Sequence, residues 1–295
     1  MNIGVLITNY QAWPMTERGI REVLRWSGDS ISKIVVVDDA SDASKKFPES
    51  DQVVIFRNPE NLGYVRSVNV GMRLISDDVV LFFDCDAYPL MDLVPAVIRH
   101  FENEPQLGAL GFFEVGSGGK TRIAGDCEPT LMNFLLGQAL GDWFARHGWF
   151  VGKHFVLHSC CMAVRRKAFE QIGGFDEAFD FLDADTDFSL RLQDAGWLVK
   201  TDASLKCFHQ GSGSPQTTAR RVMRFHRNRW LLLKKHGKVQ APSLCRFILK
   251  LRHLCELTLL FFAKWFRPRP ATQIQDKIAG RSQLLRSVAR DYRAD

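Results

Sequence analysis

An α/β fold with a mostly parallel central sheet flanked by helices, followed by a basic helical extension, is what this 295-residue chain predicts. Three observations carry the expectation. Short apolar runs alternate with stretches of helical spacing through the first ninety residues, the rhythm of a parallel sheet with crossover helices. Several of those runs end in polar residues, and ligands sit at the carboxyl ends of strands in such sheets. The charge also divides: residues 220–295 hold nineteen Lys and Arg against four Asp and Glu, whereas residues 1–219 hold twenty against twenty-nine.

The elements follow in order. Residues 3–8 read as a buried strand, and 15–27 as a helix with Ile20, Val23, Leu24 and Trp26 apolar. Residues 34–37 form a second strand, ending in Asp38 and Asp39, and 53–56 a third. Residues 64–75 place Val65, Val68, Met72 and Ile75 on one helical side. Residues 79–83 are a fourth strand, ending at Asp84. The stretch 114–130 is rich in Gly, Ser and Thr and reads as a loop, and 131–147 as a helix. A strand over 161–164, a helix over 165–172 closed by Gly173-Gly174, and a helix over 186–195 stopped by Gly196 come next. Residues 197–200 and 204–209 continue the sheet. After 211–215 the composition changes: 217–237 and 243–266 are expected as basic amphipathic helices, and 272–291 as a polar one.

Hydrophobic residues make up 46% of the chain and charged ones 24%. That is globular composition, which excludes a disordered chain, a collagen-like fibre and a polytopic membrane protein. Seven cysteines, none in a CxxC pair, read as reduced thiols of a cytosolic compartment. The opening MNIGVLITNY has no basic segment ahead of a long apolar core and reads as a first strand, not a signal peptide.

Four clusters are candidates for chemistry. Asp84-Cys85-Asp86 follows the apolar strand VVLFF, and two carboxylates there can hold a hard divalent cation that binds a diphosphate; an Asp-rich turn is the structural alternative. Asp38-Asp39 can accept from a nucleobase or ribose, or make an Asx turn. Asp183, Asp185 and Asp187 gather at a helix start, where one can act as a general base and another as a cap. His209, before a Gly/Ser stretch, can complete a metal site or serve as an ordinary polar residue. Gly116-Ser-Gly-Gly-Lys120-Thr121 imitates the end of a phosphate loop, but its first glycine would be residue 114, which is Glu114; a surface loop fits better.

Taken in order, VLITNYQ, VVVDDASD, NPENLGYVRSVNVGMR, FFDCDAYP, CCMAVRRKAFEQIGGFDEAF, DADTDFSLRLQDAGW, CFHQGSGS and RFHRNRWLLLKKHG resemble the segments of family 2 glycosyltransferases, with the bacterial rhamnosyltransferase-like branch nearest. The resemblance runs from about residue 2 to 240. It implies a GT-A, Rossmann-like fold and metal-dependent inverting transfer from a nucleoside-diphosphate sugar to a hydroxyl of a glycan or lipid-linked acceptor. It places Thr8, Asn9, Asp38, Asp39 and Arg66 at the nucleotide, Asp84 at ribose or metal, and Asp86 and His209 on Mg²⁺ or Mn²⁺. Asp185 takes the position of the base, although Ala184 stands where the family usually has Glu. The implied organisation is a catalytic domain over 1–216, with its nucleotide part at 1–86 and its acceptor and base part at 87–216, and a basic helical region over 217–295.

Two other classes remain open at this point. One is a metal-dependent phosphohydrolase built on the Asp clusters, the other a nucleic-acid-binding protein using the basic tail. Long apolar runs such as 257–262 argue against a nucleic-acid partner. They favour a peripheral position at the cytoplasmic face of an anionic membrane, through Leu254, Leu257, Leu259, Leu260, Phe261, Phe262, Trp265 and Phe266 with Lys250, Arg252, Lys264, Arg267 and Arg269 beside them. Packing of these helices on the catalytic domain, or as a homo-oligomer interface, with the charge merely solvated, is the alternative.

Overall fold

The computed structural model describes residues 1–42, 50–211, 218–266 and 271–291. Arg267, Arg269 and the side chains of Trp265 and Phe266 lie outside the described residues, as does most of the stretch 211–215. The chain divides into two compact units: residues 1–127 with 154–213, and residues 128–153 with 214–295.

The first unit is built on a nine-stranded sheet. β1 (Ile3–Asn9), β2 (Ile34–Asp38), β3 (Val53–Arg57) and β4 (Val79–Phe83) are parallel, in the order β3-β2-β1-β4. β2 and β4 are buried along their whole length, as continuous apolar runs covered on both faces must be. α1 (Trp13–Ser27) and α2 (Tyr64–Leu74) make the crossovers. A Cβ on Gly71 of α2 would lie 2.2 Å from Leu6 Cδ1, so glycine there permits the close approach of helix and strand.

Beyond β4 the sheet turns mixed. β5 (Ala87–Pro89), α3 (Val94–Asn103) and β6 (Leu107–Val115) come next in the chain. β10 (Cys161–Arg165) runs antiparallel between β4 and β6. The twelve-residue β11 (Leu198–His209) pairs parallel with β6 on one side and antiparallel with β5 on the other. An irregularity between Asp202 and Lys206 bends it, and the two strands expected at 197–200 and 204–209 are therefore one. The core is aromatic: Phe101, Phe112, Phe175, Phe179 and Phe188 are fully buried, and the Phe175 and Phe188 rings stack at 4.4 Å. Each such side chain contributes roughly 1.5–3 kcal/mol by leaving water.

The expected loop over 114–130 is structured for much of its length. It contains the end of β6, β7 (Thr121–Ile123), which folds back on β6, and β8 (Gly125–Cys127), which pairs with β9 (Phe155–Leu157). The phosphate-loop imitation is the turn of the β6–β7 hairpin.

The second unit consists of helices. The helix expected over 131–147 is two, α4 (Leu131–Leu136) and α5 (Gln138–Arg146), split where Gly137 takes φ +83°. After α6 (Arg166–Gln171) and α7 (Ala184–Asp194) of the first unit come α8 (Thr218–Lys235), α9 (Pro242–Phe266) and α10 (Ala271–Asp291). Phe134, Leu135, Trp230, Leu233, Cys245, Leu249 and Val288 form the core of this unit. Arg252 donates to the carbonyls of Phe134 and Leu135, and Arg281 pairs with Glu256 at 2.6 Å. Among the described residues no helix is long and apolar enough to cross a membrane.

Candidate active site

The parallel half of the sheet places Asn9 directly opposite Asp38. Asn9 Nδ2 donates to Asp38 Oδ1 at 2.7 Å, Ser41 Oγ donates to the same oxygen at 2.5 Å, and Thr16 Oγ1 donates to Asn9 Oδ1 at 2.8 Å. Thr8, one residue earlier, is partly buried opposite Val37. Asp39 faces the other way: its Oδ1 accepts from Asn58 Nδ2 (2.9 Å) and from the Leu62 amide (2.8 Å), and its Oδ2 from the Gly63 amide (2.9 Å). Asp39 thus holds the loop that leads into α2, and Gly63 supplies the φ of +85° that the loop needs. Asp39→Ala should destabilise the fold by about 3 kcal/mol, because it strands the buried Asn58 amide and two partly buried backbone amides; urea unfolding measures this. Arg66 stands on α2 as a half-exposed ion pair with Glu177 at 3.2 Å.

The second group forms where β4 ends. Because β5 follows Asp86 directly and pairs with β11, His209 is set opposite Ala87, and the Gln210 amide donates to the Asp86 carbonyl at 3.1 Å. Ligand atoms of Asp84, Asp86 and His209 lie within 4.8 Å of one another. His209 Nε2 is 3.6 Å from Asp86 Oδ1, while its Nδ1 donates to Glu114 Oε2 at 2.9 Å. Glu114 thereby orients the ring and leaves Nε2 facing the carboxylates. Burial works against the charged imidazole, but Cys160, Glu114 and Asp84 outweigh it and raise His209 to about 11. Asp84 Oδ1 is buried with no hydrogen-bond partner. Burial raises Asp84 to about 7 against the opposing pull of His209, with Asp86, Asp185 and Glu114 adding to the rise. An orphaned carboxylate oxygen beside a second carboxylate and an imidazole is a donor set that fits a hard or borderline divalent cation.

The third group comes from α7. Asp183 adopts a left-handed φ of +63° immediately before the helix, an uncommon conformation for a residue with a side chain. Asp185 Oδ1 accepts from the Thr186 amide at 2.9 Å, and its Oδ2 lies 3.4 Å from the Ser159 amide. Burial raises its pKa, opposed by His158 and reinforced by Asp183. Asp187 is fully buried and paired at 2.7 Å with Arg191, whose guanidinium also binds the carbonyls of Ile172 and Gly174; this carboxylate anchors the turn after α6.

Glu114, His158, Cys160 and Tyr64 are additions that sequence reasoning did not assign. Glu114 Oε1 accepts from Cys160 Sγ at 3.1 Å and lies 3.8 Å from His158 Nδ1. Tyr64 donates to Ser159 Oγ at 2.9 Å. These contacts join the end of β6 and the start of α2 to the segment before β10. Glu114 had one available signal, its place at the polar end of the apolar stretch LGALGFF.

A mixed sheet with this carboxylate and imidazole set at its strand ends is the scaffold of a GT-A glycosyltransferase. A family model of glycosyl transferase family 2 matches residues 4–173, and the chain belongs to that family: it is a glycosyltransferase that uses a nucleotide-sugar donor. Over 270 residues it is 23% identical to the N-acetylglucosaminyl-diphospho-decaprenol L-rhamnosyltransferase of Mycobacterium tuberculosis, covering 81% of this chain and 87% of the relative. The glucosyl-dolichyl phosphate glucuronosyltransferase of Haloferax volcanii is 22% identical, with 60% and 56% covered. In fold, the chain resembles the mannosyltransferase PcManGT of Pyrobaculum calidifontis, solved with GDP-Man and Mn²⁺, at a TM-score of 0.55 and 16% identity, over 96% of this chain and 86% of that one. It also resembles GalNAc-T7, solved with UDP, GalNAc and Mn²⁺, at 0.58 and 13%, over 98% and 56%. Neither the phosphohydrolase nor the nucleic-acid reading finds support in these likenesses.

Proposed function

We propose that the first unit is the catalytic one and that it transfers a sugar, with inversion, from a nucleoside diphosphate to a hydroxyl of a lipid-linked or envelope-glycan acceptor. The observation that carries this reading is the orphaned Asp84 oxygen grouped with Asp86 and His209, with Asp185 bearing on the same charge balance. Asp84, Asp86 and His209 would hold Mg²⁺ or Mn²⁺, whose chemistry is to offset charge on the departing diphosphate. Asp38, Asn9 and Thr8 line the nucleoside side, with Arg66 at its margin. Asp185 takes the proton from the acceptor hydroxyl as its oxygen bonds to the anomeric carbon and the bond to diphosphate breaks. A single displacement inverts that centre.

A lipid-linked acceptor is supported by the name of the Mycobacterium tuberculosis relative and by the basic, apolar second unit. On this reading the enzyme works peripherally, at the cytoplasmic face of an anionic membrane. A panel of nucleotide sugars tested for thermal stabilisation checks the donor half of this reading. One donor should raise the melting temperature only when Mn²⁺ or Mg²⁺ is present, by an amount equivalent to about 2.7 kcal/mol at a hundredfold excess over its dissociation constant. Stabilisation that survives chelation would remove the metal from the proposal. Sugar phosphate released at full rate without acceptor would replace transfer with hydrolysis.

A further inference from the structure

The second unit exposes apolar side chains in two places that its own core does not use. α9 is apolar on two sides. Cys245, Leu249 and His253, four residues apart, face inward and are buried. Leu244, Phe247, Leu251 and Leu254 follow the helical three-and-four spacing on the outside, and Phe261 and Phe262 extend the stripe; all six are exposed, Phe247 at 64%. Phe247 to Phe262 spans fifteen residues, roughly 22 Å of helix.

The other place is an aromatic knob at the end of α5 and just beyond it. Trp143, Trp149 and Phe150 are exposed, Trp149 at 61%. The knob is ordered: Trp143 lies edge-on to Phe144 at 4.9 Å, and Phe144 to Phe150 at 5.6 Å. The Trp149 amide donates to the Phe144 carbonyl at 2.9 Å, and Thr130 Oγ1 donates to the Phe150 carbonyl at 3.1 Å. Exposed cations accompany both places: Lys250 and Lys264 on α9, Arg146 and Lys153 around the knob. Large exposed apolar patches mark interaction sites, and Trp and Phe with basic neighbours suit the boundary between anionic headgroups and acyl chains. A nineteen-to-four excess of basic over acidic residues in 220–295 matches that surface and opposes apposition of two identical copies.

We propose that the second unit docks on an anionic lipid bilayer through the outer stripe of α9, with the Trp143–Trp149–Phe150 knob entering the interface beside it. The assignment rests on the peripheral membrane position proposed above. Docking of this kind would hold the enzyme where a lipid-linked acceptor presents its sugar.

The test is flotation of the full chain, at low salt, with vesicles of phosphatidylcholine alone and of phosphatidylcholine with phosphatidylglycerol. Wild type should float only with the anionic vesicles. The pair Phe247→Ser and Leu251→Ser, and separately Trp143→Ser and Trp149→Ser, should each weaken partitioning roughly tenfold or more, since interfacial binding scales with buried apolar area. Far-ultraviolet circular dichroism and an unchanged melting temperature confirm that each variant is folded. If folded variants float as wild type does, the membrane position stands and this surface is overturned. If wild type stays soluble with both vesicles, the membrane position itself fails. A concentration-dependent dimer that the Phe247 and Leu251 substitutions dissolve, with no flotation, would reassign the stripe to a second copy of the chain.

Discussion

Asp185→Asn is expected to lower the rate of sugar transfer by roughly two to four powers of ten while leaving donor binding close to that of wild type. The substitution keeps size, and it removes the negative charge and with it the ability to accept a proton, one acceptor oxygen becoming a donor amide. The Thr186 amide can still donate to the new side-chain oxygen, so the start of α7 should persist. Burial raises the pKa of this carboxylate, and a base acts only when deprotonated. The wild-type rate should therefore climb with pH through a value above the ordinary aspartate range, and that limb should vanish in the variant. Single-turnover transfer assays over a pH series, together with calorimetry of the donor, separate the two effects. Transfer at the wild-type rate by Asp185→Asn would sink the assignment. Asp187 would be a poor substitute, because Arg191 already occupies it, which leaves Asp183 as the next carboxylate to examine.

Asp86→Ala should abolish the metal dependence of donor binding and weaken that binding by a hundredfold or thereabouts. His209→Ala should act in the same direction. Glu114→Gln is the more instructive change, because Glu114 touches the imidazole and not the pair of carboxylates. Losing the charge behind a liganding histidine costs about 10–100-fold in metal affinity. Titration of Mn²⁺ alone, followed by its electron paramagnetic resonance signal, reads this without any turnover. Equal Mn²⁺ affinity in wild type and Asp86→Ala would exclude the carboxylate from the site.

Much of this arrangement was legible in the residues. The parallel half of the sheet announces itself through apolar runs that stop at Asn9, Asp38 and Asp84, and those stops are where the candidate site residues gather. Asp84, Asp86 and His209 were assigned from local pattern and family likeness, and the fold groups them. β6 was not legible, for a physical reason. It is interrupted by Gly108 and Gly111, which weaken a strand pattern, yet a Cβ at these positions would come within 2.8 Å of Trp197 and 2.5 Å of Leu157. Packing selects the residues that obscure the strand, and Glu114 at its end went unassigned with it. Asp39 illustrates a different limit. Its residue type suited a ligand or a turn, and only the tertiary structure shows its carboxylate engaged by the Asn58 side chain and by the backbone of Leu62 and Gly63.

The division into two units has a consequence for how such a protein can be cut and recombined. The chain passes from one unit to the other after residues 127, 153 and 213. A stop codon placed after the sheet would remove α8, α9 and α10 but leave α4 behind, with Phe134 and Leu135 stripped of Trp230, Leu249 and Val288. Such a fragment would be sticky for reasons unrelated to lipid, which makes point substitutions on α9 and α5 a cleaner probe than truncation. The same connectivity constrains chimaeras. To inherit a new docking module, a catalytic sheet must receive two segments together, one inside its own sequence between β8 and β9 and one after β11, because neither carries a complete core alone.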